Sequence, residues 1–253
     1  MIDVHCHLEQ KDYDKDRDRI IQKCRQELRA LVTSCVHPSS FDLTMKLIEK
    51  YRNFVFCTCS VHPIHIKEIS GEEKANFFNL IRENRDKIVA IGETGLDYHW
   101  VKEKEWREKQ KQLFREMIGL AKELEKPLVI HSWESDEDCI EILEQEGSER
   151  VNWHMFGGRA LLERVLSNQW SISMNAIVLK SKDRKKIIRD MPLDRIMLET
   201  DAPWLDPEGG RNTPLVIKRV ARKIAEIKKI PYEQIWETCG RNALQFFHLP
   251  ITL

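Results

Sequence analysis

The sequence lacks long apolar runs. None approaches the roughly 18 consecutive residues that a transmembrane helix needs. The first ten residues, MIDVHCHLEQ, also lack the basic segment and the cleavage site of a secretory signal. We therefore expect a protein that is neither exported nor inserted into a membrane, and that works in the cytoplasm.

Net charge and cysteine pairs are absent as well. The 41 Lys and Arg residues balance the 41 Asp and Glu residues, so overall charge does not attract the chain to nucleic acid. A polyanion could bind only at a local patch. None of the seven cysteines forms a C-x-x-C pair, and their number is odd. This pattern favours buried, reduced thiols over disulfides, redox sites or metal sites.

No Pro-, Gly- or Ser-rich linker interrupts the 253 residues, so we predict a single domain over 1–253. Hydrophobic residues make up 42% and charged residues 32% of the chain, a balance typical of a soluble globular protein. Short apolar or β-branched segments alternate with charged segments of helical periodicity. We count eight of the apolar segments, at residues 1–8, 30–36, 53–61, 87–95, 127–133, 150–156, 170–178 and 194–201.

Eight strand–helix units in a chain of this length predict an α/β fold. We expect a parallel sheet closed into a (β/α)8 TIM barrel rather than an open doubly wound sheet. The clearest predicted helices cover residues 13–28, 104–125 and 181–190. Two more follow at residues 213–229 and 232–249, and the last of these is an extra C-terminal helix that covers the barrel.

Several predicted strands end on residues that bind metals. These are His5 and His7 on the first strand, Glu93 on the fourth, His131 on the fifth, His154 on the sixth and Asp201 on the eighth. In a barrel all these ends meet at the face that carries the active site. Four imidazoles and two carboxylates exceed the needs of one tetrahedral zinc site, and a carboxylate such as Glu93 can bridge two cations. The residues therefore predict a site for two divalent metal ions.

The alternation of side chains along a strand refines this prediction. Residues i and i+2 point the same way, which predicts Asp3, His5 and His7 on one side of the first strand. By the same rule Glu199 shares a side with Asp201. We expect Glu199 to hydrogen-bond a ligand imidazole. The alternative is a purely structural carboxylate.

Each candidate ligand alone also has an ordinary structural interpretation. His131 could be a core histidine, Asp201 could start a turn, and Glu93 could be a loop carboxylate near two glycines. The His-x-His pattern is commoner than the metal sites that use it. Chance would have to place all six residues at strand ends, so the set as a whole indicates a metal site.

Other residues near the strand ends could contact substrate. His62 ends the third strand before Pro63, where it could bind phosphate or order a ligand, and a surface turn histidine is the alternative. Tyr98, Trp133 and Trp204 could stack on the bases of single-stranded nucleic acid, which contributes about 1–3 kcal/mol per base. For each aromatic residue, packing is the alternative.

With these motifs the chain resembles the TatD-type metal-dependent deoxyribonucleases, a branch of the amidohydrolase-like barrel enzymes. The shared motifs follow one another along nearly the whole chain: DVHCHL at 3–8, HP at 62–63, IGETGLDY at 91–98, IHS at 130–132, HMFGG at 154–158, LETDAPWL at 198–205 and Asn212-x-Pro214. Each motif alone is moderately specific, and the ordered set is highly specific.

The resemblance implies a TIM barrel with two divalent metal ions, Mg, Mn or Zn. It assigns one ion to His5, His7 and Asp201 and the other to His131 and His154, with Glu93 shared between them. The implied activity is hydrolysis of DNA phosphodiester bonds, as a 3′-to-5′ exonuclease on single-stranded or 3′ ends. DNA is thus the expected partner.

Two positions depart from the family pattern. The family commonly has a histidine directly after its His-Pro pair, whereas Ile64 stands there in this chain and His65 follows. After IHS the family often has arginine, whereas this chain has Trp133. Both positions lie where substrate is expected to bind, so the departures concern substrate preference more than metal binding.

The expected mechanism uses both cations. At roughly 3.5–4 Å apart they would stabilise an in-line displacement at phosphorus and supply metal-bound hydroxide at neutral pH. Asp201 is the candidate to orient or deprotonate the attacking water. The candidate catalytic carboxylates are Asp201, Glu93 and Glu199, and the candidate substrate contacts are His62, Tyr98, Trp204 and Asn212.

Two other functions stay open. One is hydrolysis of an amide or ester, as by a deacylase acting on aminoacyl-tRNA. Such barrels often carry a carboxylated lysine at the position of Glu93, so Glu93 favours phosphoesters. The other is a non-catalytic, metal-stabilised binding protein, against which the complete ligand set argues. The identity of the metal and the choice between DNA and RNA as substrate stay open at this point. The oligomeric state is open as well, and a monomer is favoured.

Overall fold

A computed structural model describes residues 1–252 of the chain. Eight parallel strands form one sheet in sequence order, as in a TIM barrel. The strands are β1 (Ile2–Cys6), β2 (Ala30–Cys35), β3 (Val55–Cys59), β4 (Ile88–Asp97), β5 (Leu128–Trp133), β6 (Val151–Trp153), β7 (Ser171–Met174) and β8 (Ile196–Leu198). The predicted fold class and all eight predicted strands are confirmed.

Residues 1–252 contain nine α-helices, which alternate with the strands. They are α1 (Arg17–Arg25), α2 (Phe41–Lys50), α3 (Gly71–Glu83), α4 (Lys104–Glu123), α5 (Asp136–Gln145), α6 (Leu162–Ser167), α7 (Lys182–Asp190), α8 (Ile217–Lys228) and α9 (Tyr232–Phe247). Helix α9 is the predicted extra C-terminal helix.

Two apolar clusters hold the barrel together. The larger one packs the outer faces of the strands against the helices. The smaller one joins residues near the strand beginnings, such as Ile2 and Phe56, to Ala243 and Phe247 at the end of α9. Helix α9 therefore covers the N-terminal end of the barrel. The opposite end, where the strands finish, is left to polar residues.

Strict alternation along β1 is broken. Val4 packs with Ile2 in the smaller cluster, whereas Cys6 belongs to the larger one, and the register with β2 shifts between Asp3 and Cys6. The prediction that Asp3 lies on the side of His5 is therefore wrong, because it assumed a regular strand. The Asp3 carboxylate instead accepts hydrogen bonds from the backbone N–H and the hydroxyl of Thr200, at 3.1 and 2.6 Å.

Backbone hydrogen bonds also join β1 to the segment after β8. The N–H of Asp201 donates to the carbonyl of His5 at 2.9 Å, and the N–H of His7 donates to the carbonyl of Ala202 at 2.7 Å. This seam closes the barrel, and it places residues from the two ends of the chain side by side.

Several predicted strands are too long, most clearly those at residues 150–156, 170–178 and 194–201. The prediction for residues 170–178 overran β7, because the Asn175 side chain accepts the N–H of Ile177 and starts a 3-10 turn there. The prediction for residues 194–201 began too early, because a 3-10 turn over Leu193–Arg195 precedes β8.

The state of the cysteines and the character of the helices agree with what the composition predicts. All seven cysteines are buried, and each is a free thiol. Among residues 1–252, no helix combines the length and the apolar character that a membrane crossing requires.

Replacement of Gly95 by alanine tests the fit between β4 and β5. Gly95 has a φ of +143°, and a Cβ built on it would lie 2.0 Å from the carbonyl oxygen of His131. We expect Gly95→Ala to lower the free energy of unfolding by about 2 kcal/mol or more, through strain and overpacking. Thermal and denaturant unfolding measure the loss.

Gly119 in α4 provides the matched control. A Cβ there meets nothing within 4 Å. Gly119→Ala should raise stability by about 1 kcal/mol, because alanine is the better helix former. Equal effects of the two substitutions would show that the close approach at Gly95 does not constrain the barrel.

Candidate metal centre

The carboxylate of Glu93 lies at the middle of the polar face. Its Oε1 is 3.3 Å from Nε2 of His5 and 3.4 Å from Nε2 of His7. Its Oε2 is 3.3 Å from Nδ1 of His131 and 3.8 Å from Nε2 of His154. Each oxygen of this one carboxylate thus faces a different set of imidazoles.

Asp201 completes the group. Its Oδ1 is 3.3 Å from Nε2 of His7 and 3.7 Å from Nε2 of His5. The residue follows β8 in a left-handed conformation, with a φ of +57°, and the seam with β1 fixes its backbone. The structure therefore brings all six predicted ligands into one cluster.

The strand ends position the other ligands. The N–H of Glu93 donates to the hydroxyl of Ser34 on β2 at 3.2 Å. The N–H of His154 donates to the carbonyl of Ile130 at 3.0 Å, which continues the pairing of β5 and β6 beyond β6 itself. Neighbouring strands thus fix the backbone from which each ligand side chain extends.

Three of the histidines are each held by a buried carboxylate. These pairs are His7 Nδ1 with Glu9 at 3.3 Å, His131 Nε2 with Asp97 at 3.0 Å, and His154 Nδ1 with Glu199 at 2.9 Å. An ionised carboxylate only accepts hydrogen bonds, so the nitrogen that faces it carries the proton. In the neutral ring, the other nitrogen then directs its lone pair at the centre. This arrangement is common behind metal-binding histidines.

The donor set fits divalent cations. Nε2 of His5 and Nε2 of His7 are only 3.0 Å apart, and lone pairs at that distance repel unless a proton or a cation lies between them. Imidazole nitrogens and carboxylate oxygens together accept several transition metals, Zn and Mn among them. Groups of three ligand atoms lie within 4.8 Å of one another on both sides of Glu93.

Burial and charge set the protonation of the metal-free centre. Burial alone would raise the pKa of Glu93, but the surrounding imidazoles, His5 foremost, and a hydrogen bond from His131 hold it well below its usual range. Burial lowers the pKa of His154, yet the charge and hydrogen bond of Glu199, together with the charges of Glu93 and Asp201, outweigh burial and raise that pKa to about 9. The pKa of His7 is also raised well above its usual value, against burial, by hydrogen bonds to carboxylates. Without metal, protons occupy these imidazoles.

His62 is buried beside the centre, so the surface-turn interpretation is wrong. Its Nδ1 accepts the N–H of Ile64 at 3.2 Å, which leaves the proton on Nε2. That nitrogen lies 3.7 Å from Oε2 of Glu93. Burial and the charge of His131 hold the pKa of His62 well below its usual value. His62 is therefore a neutral hydrogen-bond donor that points into the centre.

The remaining predicted substrate contacts have different environments. The Trp204 ring lies 4.5 Å from the ring of His7 and is 43% exposed, at the rim of the centre. The Tyr98 hydroxyl donates to Asp138, and the Arg107 guanidinium lies over its ring at 4.4 Å, so Tyr98 does not join the cluster.

Asn212 is completely buried, and its side chain is engaged within the chain, so its contact with substrate stays a prediction. Its Nδ2 donates to the carbonyls of Thr200 and Trp204, at 3.0 and 2.7 Å. It therefore fixes the loop after β8, which carries Asp201.

Sequence reasoning missed Glu9 and Asp97, although the spacing of Asp97 contained a signal. Glu9 stands two residues after His7, and Asp97 stands four after Glu93 on a strand. Alternation along β4 puts Asp97 on the same side as Glu93, whereas Glu9 lies in the turn after β1, where alternation does not apply. The same rule had been applied to Glu199, whose predicted hydrogen bond to a ligand imidazole is present.

A (β/α)8 barrel with this cluster at the strand ends has the arrangement of a metal-dependent barrel enzyme. Comparison with known proteins identifies the family. The profile of the family described as TatD related DNase matches residues 2–248. The chain therefore belongs to the TatD related DNase family, and it is a metal-dependent hydrolase.

Individual relatives agree. The chain is 34% identical to YabD, an uncharacterized metal-dependent hydrolase of Bacillus subtilis, over 98% of this chain and 99% of that protein. It is 33% identical to the human deoxyribonuclease TATDN3, over 98% of this chain and 94% of that protein. The crystal structure of YJJV, a TatD homologue from Escherichia coli, matches with a TM-score of 0.89 at 25% identity, covering 99% of this chain and 98% of that one.

Removal of the charge behind His131 should weaken metal binding. Asp97→Asn leaves the ligand in place but removes the carboxylate that orients it, and we expect metal affinity to fall about 10- to 100-fold. Competition with a chromophoric chelator measures the change. Glu134→Gln, a half-exposed carboxylate that pairs with His99, is the matched control and should bind metal as the parent does. Identical affinities for both variants would contradict the orienting role.

Metal binding should release protons at neutral pH. The pKa of His154 is about 9 without metal, and that of His7 is well above its usual value, so a cation must displace protons from both rings. Affinity should therefore fall as pH falls. Calorimetric titration of metal into metal-free protein, in two buffers with different ionisation enthalpies, should give different heats at the same pH. Equal heats would mean that the imidazoles were already unprotonated.

Proposed function

We propose that the chain hydrolyses phosphodiester bonds of DNA, as a 3′-to-5′ exonuclease on single-stranded ends, with two divalent cations in the centre. One observation carries this proposal. The two oxygens of Glu93 face two different sets of imidazoles, which suits a carboxylate shared by two cations. The names of the relatives support DNA as the substrate, since the human relative is called a deoxyribonuclease.

The ligands divide into two sets around Glu93. His5, His7 and Asp201 would hold one cation on the side of Oε1. His131 and His154 would hold the other on the side of Oε2. Bound Mg, Mn or Zn would lower the pKa of a bound water and offset the charge that develops on the phosphate.

The side chains of the chain itself then have separate tasks. Burial acts to raise the pKa of Asp201, but the hydrogen bond from His7 and neighbouring imidazole charges keep it below its usual value. Asp201 is thus ionised at neutral pH and can orient the attacking water and accept its proton. The Nε2–H of His62 can donate to a phosphate oxygen. Glu199 holds His154 in place through its hydrogen bond.

We also propose that the protein acts in the cytoplasm as a monomer. The support for the cytoplasm is that all seven cysteines are free thiols, which suits a reducing compartment. For the monomer, the support is that a single chain supplies every ligand of the centre.

Hydrolysis of an end-labelled single-stranded DNA oligomer tests the activity. With Mg, Mn or Zn added, a 5′ label should appear in a ladder of shortened products, and a 3′ label should be released first. Asp201→Asn should lower kcat/KM about 10²- to 10⁴-fold through loss of the proton acceptor. Asp194→Asn, an exposed carboxylate before β8, is the matched control and should cleave like the parent.

The other outcomes separate the alternatives. Release of the 5′ label first would reverse the proposed polarity. Equal rates for the parent and Asp201→Asn would remove Asp201 from the mechanism. An oligomer left intact by metal-loaded protein under every metal would favour amide or ester hydrolysis, and an aminoacyl-tRNA and ester panel would follow.

A further inference from the structure

We propose that Trp100 and Trp133, with His99, form a platform on which a base of the single-stranded substrate stacks next to the metal centre. These three residues are called the tryptophan platform below. The inference rests on the proposed function, because it assumes a nucleic acid in the centre, and it names the part of the substrate that the rim recognises.

The platform adjoins the metal ligands. Trp133 is the last residue of β5, two positions after His131, so their Cα atoms lie about 7 Å apart along the strand. His99 and Trp100 follow β4, the strand that carries Glu93. A nucleotide whose phosphate lies at the centre would therefore have its base, or that of its neighbour, within reach of these rings.

The three rings form one ordered cluster. The His99 ring is stacked on Trp133, with centroids 4.1 Å apart and planes 8° from parallel. Trp100 stands nearly perpendicular to Trp133, at 83° and 6.2 Å. It also meets the edge of His99 at 5.1 Å. His99 and Trp133 are therefore stacked in parallel, and the Trp100 ring stands perpendicular beside them.

Hydrogen bonds hold the platform in place. Nδ1 of His99 lies 2.8 Å from a carboxylate oxygen of Glu134. The N–H of Tyr98 donates to the carbonyl of Trp133 at 2.9 Å, and the N–H of Trp100 donates to Asp97 at 2.8 Å. The backbone that carries the rings is therefore ordered before any ligand arrives, which lowers the entropy cost of binding.

The exposure of the platform indicates a binding role. Trp100 is 66% and Trp133 is 41% exposed, whereas Trp153 and Trp170 are completely buried. Indole rings in water are unfavourable, and apolar rings grouped at an active-site rim mark a binding surface. His99 covers one face of Trp133, so a ligand would add to the stack on the other face.

A nucleobase is the occupant that this surface fits best. Every base has a flat π-face, and aromatic side chains that line single-strand sites stack on such faces without reading sequence. Bases within a duplex already stack on each other, so the platform favours a single strand. The proposed centre supplies the adjacent phosphate site, which a stacked nucleotide requires.

The test removes the stacking partner from the protein, by substitution of a tryptophan, or from the DNA, by omission of its terminal bases. Full-length protein carrying Asp201→Asn, loaded with metal, is mixed with a fluorescent single-stranded oligonucleotide or with the same strand whose terminal nucleotides lack bases. Fluorescence anisotropy gives the Kd. In this background Trp133→Ala and Trp100→Ala should each raise the Kd for the normal strand about 5- to 150-fold. Neither should change the Kd for the abasic strand, because the stacked partner is already missing.

Two controls accompany these variants. Trp133→Phe retains an aromatic face and should keep most of the affinity. Trp236→Ala removes an indole from α9, at the other end of the barrel beside Met1, and should bind both strands like the parent. Circular dichroism and thermal unfolding establish that each variant is folded.

The outcomes separate the two proposals. A parent protein that cleaves and binds DNA, with tryptophan variants that bind the normal strand equally well, would overturn the platform and leave the nuclease function standing. A parent that neither binds nor cleaves the strand would overturn the proposed function and the platform with it. If the parent sediments as a dimer and Trp100→Ala as a monomer, a second copy covers the rings and base stacking is wrong.

Discussion

The seam between β1 and the segment after β8 is the constraint on which the centre depends. His5 and His7 stand near the start of the chain, and Asp201 lies almost 200 residues later. They meet because the backbone of Asp201 and Ala202 pairs with that of His5 and His7. Asp3 strengthens the same seam through Thr200. An open sheet with these strands would leave the ligands at opposite edges.

A bound cation would in turn strengthen the seam. The predicted ligands come from β1, β4 and β5 and from the segments after β1, β6 and β8, so cations at the centre would link elements that are distant in sequence. A ligand that binds only the folded state stabilises it by mass action. Closure of the barrel and occupation of the centre are thus linked equilibria.

The charges at this face are costly to bury, and the structure offsets the cost by pairing them. Glu9, Asp97 and Glu199 are buried, and each one meets its own imidazole. Loss of one member leaves a buried charge without a partner, which costs about 3–5 kcal/mol in other proteins. Such pairing also fixes which ring nitrogen carries the proton. The carboxylates therefore determine which ring nitrogens face the centre.

The sequence was sufficient to predict the barrel and the ligand cluster. Strand segments repeat at regular intervals, and the ligand residues stand at their ends, so a one-dimensional pattern maps directly onto one face. Where the register of a strand shifts, the direction of its side chains cannot be predicted from such a pattern. The register shift in β1 moves Asp3 to Thr200, and no periodicity signals it.

The sequence also does not show which loop residues are buried. Asn212 is an ordinary loop residue in the sequence, but it fixes the backbone of Thr200 and Trp204 from a buried position. The environment of Tyr98 depends on Asp138 and Arg107, which belong to other elements. Contacts of this kind depend on how helices and loops pack, and only a three-dimensional structure defines them.

Asp97 connects the metal centre with the tryptophan platform. One of its oxygens lies 3.0 Å from Nε2 of His131, and the other accepts the N–H of Trp100 at 2.8 Å. The position of a metal ligand and that of an exposed indole are therefore set by one buried carboxylate. The bond to Trp100 uses its backbone, so removal of the indole leaves it intact. Changes in the Trp100 side chain act on the rim alone, whereas changes in Asp97 act on the rim and the centre together.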